Sequence, residues 1–190
     1  MISTDDRFTT ATDPEEPLSD LLSYAKLLDN PKLARLYIYV LQRGPVTVEA
    51  VKTDLDVPHS TAYKYVSELE EMGVLTRHES ETPTTISADP IHLELTTQHG
   101  ELRVTPVLVA AVARSLEKDD IRIFLDRHGV AKLAAALHYA IRVMDGELTQ
   151  RTAANRLDVH PVEGMTAIAA LQDVIEAAAE YDPSLDFDEE

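Results

Sequence analysis

Six side chains able to donate or accept hydrogen bonds lie close together at His59, Ser60, Thr61, Tyr63, Lys64 and Ser67. None is acidic. The residues between them, Ala62, Val66 and Leu69, repeat at helical spacing, so one face of the segment is apolar and the other polar. A helix with those groups on its first turns can hydrogen-bond base edges and phosphates in the major groove. Thr47 and the N–H groups after it start the preceding short helix, where a phosphate can be received. Lys52 and Arg77 complete the expected DNA-facing set of Thr47, Lys52, His59, Ser60, Thr61, Tyr63, Lys64, Ser67 and Arg77, with Lys32 and Arg35 at its flanks.

Other chemistry is sparse. The seven histidines include His92, two residues from Glu94 on a predicted strand, with His99 across the turn; solvated hairpin residues are the expected reading, not a metal site. His128 precedes Gly129 at a predicted helix end, where an imidazolium suits the dipole. His138 lies in an apolar helix and is expected to be partly buried. There is no cysteine, Gly-rich phosphate loop or nucleophile elbow, and no credible pair of catalytic carboxylates. The expectation is no enzymatic activity, no catalytic residue, no cofactor and no metal.

The positioning elements follow from periodicity and capping. Residues 1–16 are acidic and poor in apolar groups, a disordered segment by composition. Leu18, Leu21, Leu22, Ala25 and Leu28 predict an amphipathic helix that can pair with its twin. Asn30-Pro31 caps a helix over 31–42 with Leu33, Leu36, Tyr37, Val40 and Leu41 on its stripe. Tyr37 and Tyr39 there read as core and interface residues. Thr47 caps a short helix burying Ala50, Val51 and Leu55, Asp56-Val57-Pro58 turns, and the polar-faced helix spans 59–72. Val74–His78 and Thr84–Ala88 pair around Thr82-Pro83. Residues 91–105 alternate as two further strands turning at Gln98-His99-Gly100. Helices then follow over 107–118, 120–127 and 130–144, and 180–190 is an acidic tail predicted to be disordered.

Residues 149–159 repeat 47–57 at a constant offset of 102, and Leu157-Asp158-Val159 restates Leu55-Asp56-Val57. Ile168 and Leu171 take the places of Val66 and Leu69. The outward positions of this second copy are Pro161, Val162, Glu163, Met165 and Thr166. With no cation among them, and with Gly164 weakening the helix, it reads as a packing or dimerisation element. Arg151 and Arg156 leave it a secondary DNA contact.

Composition sets the environment. The 190 residues carry a formal charge of -17, with 34 acidic against 17 basic residues. Carboxylates spread along the whole chain with few lysines suit a cytoplasm at very high salt, where screening acts over only ~3 Å at 1 M. The segment 31–78 is neutral, whereas the segments around it are all acidic. At high salt the counterion-release contribution to DNA affinity fades, leaving hydrogen bonds and shape. Hydrated K+ can then bridge the wing carboxylates Glu79 and Glu81 to phosphate. The longest apolar runs fall short of the ~20 residues that span a bilayer, and no targeting peptide is legible, so a soluble cytoplasmic protein is expected.

Residues 55–66 (Leu-Asp-Val-Pro-His-Ser-Thr-Ala-Tyr-Lys-Tyr-Val) and 69–75 (Leu-Glu-Glu-Met-Gly-Val-Leu) resemble a winged helix-turn-helix transcriptional regulator of the haloarchaeal kind, similar in layout to the MarR and ArsR groups. The later segments Asp120-Ile121-Arg122, Asp126-Arg127-His128-Gly129 and Lys132-Leu133-Ala134 resemble the C-terminal region of haloarchaeal proteins that carry such domains. The resemblance implies homodimers on double-stranded palindromic sites, with Ser60, Thr61, Tyr63 and Lys64 facing the groove; the acidic wing tip departs from its pattern. The expected class is mainly α with small β-hairpins (α+β), a winged helix-turn-helix followed by a helical C-terminal domain containing a degenerate second helix-turn-helix. Its expected parts are a disordered acidic N-terminus (1–16), the winged domain with its leading helix (17–90), a β-hairpin connector (91–106), the helical domain (107–180) and the tail (181–190). The expected function is sequence-specific regulation of transcription at high salt. The alternative is a protein-interaction adaptor or antitoxin-like module whose winged helix binds protein.

Overall fold

Asn30 closes one helix and opens the next. Its Oδ1 accepts the N–H groups of Lys32 (3.1 Å) and Leu33 (3.3 Å), with Pro31 at the first helical position, so α1 (Glu15–Asp29) and α2 (Pro31–Arg43) meet at a capped corner. A computed structural model describes residues 15–80, 82–98 and 100–185 of the chain. After α2 come α3 (Val48–Asp54) and α4 (His59–Glu71), then a hairpin of β1 (Thr76–His78) and β2 (Thr85–Ser87). These strands are antiparallel with Arg77 opposite Ile86. Val46 exchanges both backbone bonds with Ile86 (3.0 and 2.8 Å), which ties the wing to the chain just before α3. A second antiparallel pair, β3 (Leu93–Thr97) and β4 (Gly100–Val104), sets Leu93 opposite Val104.

The rest is helical: α5 (Pro106–Arg114), α6 (Asp119–Met144), α7 (Gln150–Arg156) and α8 (Pro161–Ala178), then a single 3-10 turn, Pro183–Leu185. The architecture is therefore mainly α with two small hairpins, a winged helix-turn-helix followed by helices. Its center is α5. Val107 to Ala113 are all buried, as befits a helix that is apolar all round. α5 packs on α2 on one side and on α6 and α8 on the other, so one continuous core joins the two halves of the chain.

Several expectations need correction. Glu15 and Glu16, assigned to a disordered segment, form the acidic first turn of α1, where carboxylates favour the helix dipole; residues 1–14 lie outside the described residues. The leucine stripe of α1 is divided: Leu21 and Leu28 are half-buried, whereas Leu18 and Leu22 are 58% and 62% exposed, and Leu27 is the residue buried. In α3 Val48 is buried alongside the expected Val51 and Leu55, whereas Ala50 is only half-buried. The helix predicted over 107–118 starts at Pro106 and ends at Arg114. The two helices expected over 120–127 and 130–144 do part at Gly129, within the run Asp119–Met144, and its φ of 78° is available to glycine at little cost. His138 is exposed rather than partly buried.

The acidic tail is also partly folded. Asp182 is 1% exposed, and its Oδ2 accepts the Val107 N–H at 2.7 Å. The Thr105 side chain makes no capping bond to α5, so a carboxylate from 75 residues further on satisfies one of that helix's free N–H groups. Its Oδ1 accepts from Ser184 N (2.9 Å) and Ser184 Oγ (2.6 Å), and Leu185 is buried beside it. Residues 186–190 lie outside the described residues.

Candidate nucleic-acid interface

The turn between α3 and α4 is built by local chemistry. The Thr47 hydroxyl accepts the Ala50 N–H at 3.1 Å and caps α3. Asp56 takes a φ of 50°, a left-handed conformation that aspartate tolerates better than most residues. The Pro58 carbonyl then accepts the N–H groups of Thr61 and Ala62, both at 3.0 Å. Val51, Ala62, Val66 and Leu69 are fully buried where α3, α4 and α2 meet. Burying that stripe turns the opposite face of α4 outward. Lys26 of α1 reaches Glu68 at 2.8 Å, a contact along α4 that sequence spacing did not suggest.

The expected residues divide into three groups. His59, Ser60, Tyr63, Lys64 and Ser67 are exposed together on the outer face of α4, and Thr61 is half-buried beside them. The His59 ring lies 4.5 Å from that of Tyr63, so the two form a small aromatic platform at the helix start. Lys52 is on the neighbouring helix but is ion-paired to Glu49. Glu49 also lies 3.8 Å from His59, and the Lys52 hydrogen bond holds its carboxyl below the ordinary range. The sequence reading missed this acid, although its spacing of three from Lys52 on a helix was the available signal.

Arg77 belongs to the third group. Its Nε and Nη2 each donate to Glu70 at 2.7 Å, a two-pronged bond that fastens the wing to α4 and raises the guanidinium pKa. Arg77 thus stands against α4 with its Nε and Nη2 committed to Glu70. Across the same wing hairpin, His78 Nε2 and Ser87 Oγ are 2.8 Å apart. Glu79 is exposed at the wing's edge, while Glu81 lies outside the described residues.

The repeat keeps its backbone and changes its surface. Thr149 caps α7 through Thr152 N (3.2 Å) as Thr47 caps α3, and Asp158 has a φ of 51° against 50° for Asp56. On α8, Ile168 and Leu171 are buried in the places of Val66 and Leu69. Glu163, one of the outward positions of this copy, is bonded to Arg127 and lies 3.3 Å from His128, both on α6. Partial burial alone would raise the Glu163 carboxyl, but the hydrogen bonds from His128 and Arg127 outweigh it and hold the carboxyl below its ordinary value. Val162 is 58% exposed.

No group of three or more metal-ligating side chains occurs among the described residues. His92 is 3.5 Å from Glu94, which is also ion-paired to Arg103 at 3.0 Å; His99 lies outside the described residues. Among the described residues, no helix is long and apolar enough to cross a membrane.

Residues 24–92 match the family model of the sugar-specific transcriptional regulator TrmB, a winged helix-turn-helix family, where the layout read from the sequence had suggested the MarR and ArsR groups. Residues 115–180 match a family of unknown function, DUF7437. The first match ends just after the wing and the second starts just after α5, so the helix that joins the halves falls between them. No curated protein and no solved structure matches the chain.

Proposed function

We propose that this chain regulates transcription by inserting α4 into the major groove of double-stranded DNA, as a homodimer working in concentrated salt. One observation carries the reading: Ser60, Tyr63, Lys64 and Ser67 stand exposed on one side of α4 while Ala62, Val66 and Leu69, on the other side, are fully buried. The likeness of residues 24–92 to a transcriptional-regulator family supports it. Serine and lysine on the first turns hydrogen-bond base edges or phosphates, and the His59–Tyr63 platform adds contact with backbone sugars or thymine methyls. The neutral charge of residues 31–78 removes the repulsion that the rest of the chain would present to DNA.

High-salt work follows from composition. An acidic reader forgoes the counterion release that gives ordinary binders a log–log salt slope of about −0.9 per phosphate contact. K+ bridging Glu79 and Glu81 to phosphate makes affinity less sensitive to KCl than to a large organic cation. For the dimer, Leu18 and Leu22 on α1 and Val162 on α8 offer exposed apolar contacts.

Selection of genomic fragments by the full chain in concentrated KCl, followed by anisotropy titration of the selected duplex, tests this reading. The triple variant Ser60→Ala, Tyr63→Ala and Lys64→Ala is expected to lose sequence preference and at least tenfold in affinity, with an unchanged melting temperature. Enrichment of no sequence by the parent chain would overturn the reading.

A further inference from the structure

A cleft of about 190 Å³ opens where α2, α5 and α8 meet. Its floor is apolar, from Ile38, Leu55, Ala113 and Val174. The polar groups at its edge are Arg35, Tyr39, Gln42, Arg114, Glu117 and Tyr181. The Glu117 carboxylate accepts from Arg114 Nη1 at 2.9 Å and lies 3.7 Å from Arg35 Nε. Two guanidinium groups therefore share one carboxylate at this mouth. Glu117 is itself 49% exposed, so solvent competes with its bond.

We propose that this cleft binds a small carboxylic acid whose carboxylate takes the place of Glu117 between Arg35 and Arg114 while its apolar body lies on the floor. Planar guanidinium groups favour a planar, two-oxygen acceptor, and Glu117 already marks where that acceptor sits. Gln42, which reaches the Tyr181 hydroxyl, and Tyr39 supply polar partners for a second substituent. A cleft of this size suits a compact acid.

The site also touches the reader. Leu55 ends α3, and the Tyr39 hydroxyl donates to Asp54 Oδ2 at 2.7 Å, so an occupant on α2 and α5 presses on the helix that supports α4. This link to DNA rests on the proposed function; binding of the acid does not.

Calorimetric titration of the full chain with cyclohexanecarboxylate, benzoate and butanoate, and with their uncharged amides, reads the site without DNA. The expected result is binding of at least one acid and of none of the amides. Glu117→Gln removes the internal competitor and tightens the acid about tenfold, whereas Arg114→Gln weakens it by tenfold or more. Ala177→Leu, which fills the cleft without touching the charges, is expected to abolish binding, and melting of each variant without acid checks its fold. Absence of binding by every acid overturns the proposal, as does equal binding of acids and amides or an affinity unmoved by the Glu117 and Arg114 replacements. Acid binding without any change in the affinity of a selected duplex removes only the link to the reader.

Discussion

Tyr37 shows how much one hydroxyl can hold in place. The side chain is fully buried, its Oη donates to the Asp89 carbonyl at 2.9 Å, and it accepts the Ile91 N–H at 3.0 Å. It thereby fastens α2 to the chain leaving the wing. Burial pushes its pKa well above the ordinary tyrosine value. A folded-state pKa raised in this way gives stability that is complete below about pH 10 and is lost as pH climbs toward the folded value. Tyr37→Phe is expected to cost about 1–3 kcal/mol near neutral pH, because the Ile91 N–H loses its acceptor, and to blunt alkaline unfolding above about pH 10. Denaturant melts at a series of pH values check both. The sequence placed Tyr37 on the buried stripe of α2. Its partners, more than fifty residues away, carry no local signal.

At the scale of the element, the two helix-turn-helix copies separate what a pattern reveals from what it hides. Caps and turn residues are written locally, so Thr47 and Thr149, or Asp56 and Asp158, could be matched by their spacing alone. Gly164 could not be understood that way: read as a flaw in the helix, it is where α8 comes closest to α7. A Cβ added there would lie 3.0 Å from Ala154 Cβ. Gly164→Ala is therefore expected to destabilise the chain by about 1–3 kcal/mol despite its better helix propensity, measured by urea unfolding. Glu163 also depends on a distant partner. Its lowered carboxyl gives stability that is present above the ordinary glutamate range and is lost as pH falls through the folded value, so Glu163→Gln should flatten the acid limb of a melting profile. Asp182→Ala removes three hydrogen bonds from a buried site at the start of α5 and is expected to cost about 2–4 kcal/mol.

For the whole molecule, the dominant quantity is the charge of -17. Most ion pairs here are exposed and add little individually, whereas mutual repulsion among carboxylates acts on the entire compact state. Added KCl is expected to raise the melting temperature steeply from low ionic strength, and NaCl of equal concentration to do much the same if screening is the cause. For the proposed dimer, replacing Leu18 and Leu22 with Glu should shift sedimentation toward the monomer without altering the melting of the subunit. Both expectations follow from composition and periodicity, which report solvent-facing character well. The central position of α5 was less legible, because a helix apolar on all sides has no face to indicate what it packs against.

That position also limits how this protein can be rearranged in evolution. Because α2 leans on α5, a recombination that carried off residues 31–90 alone would leave a raw apolar surface on the transplanted fragment. A viable graft must bring residues 106–114 as well, and then something to stand in for Asp182. The two helix-turn-helix copies lie on either side of that shared wall.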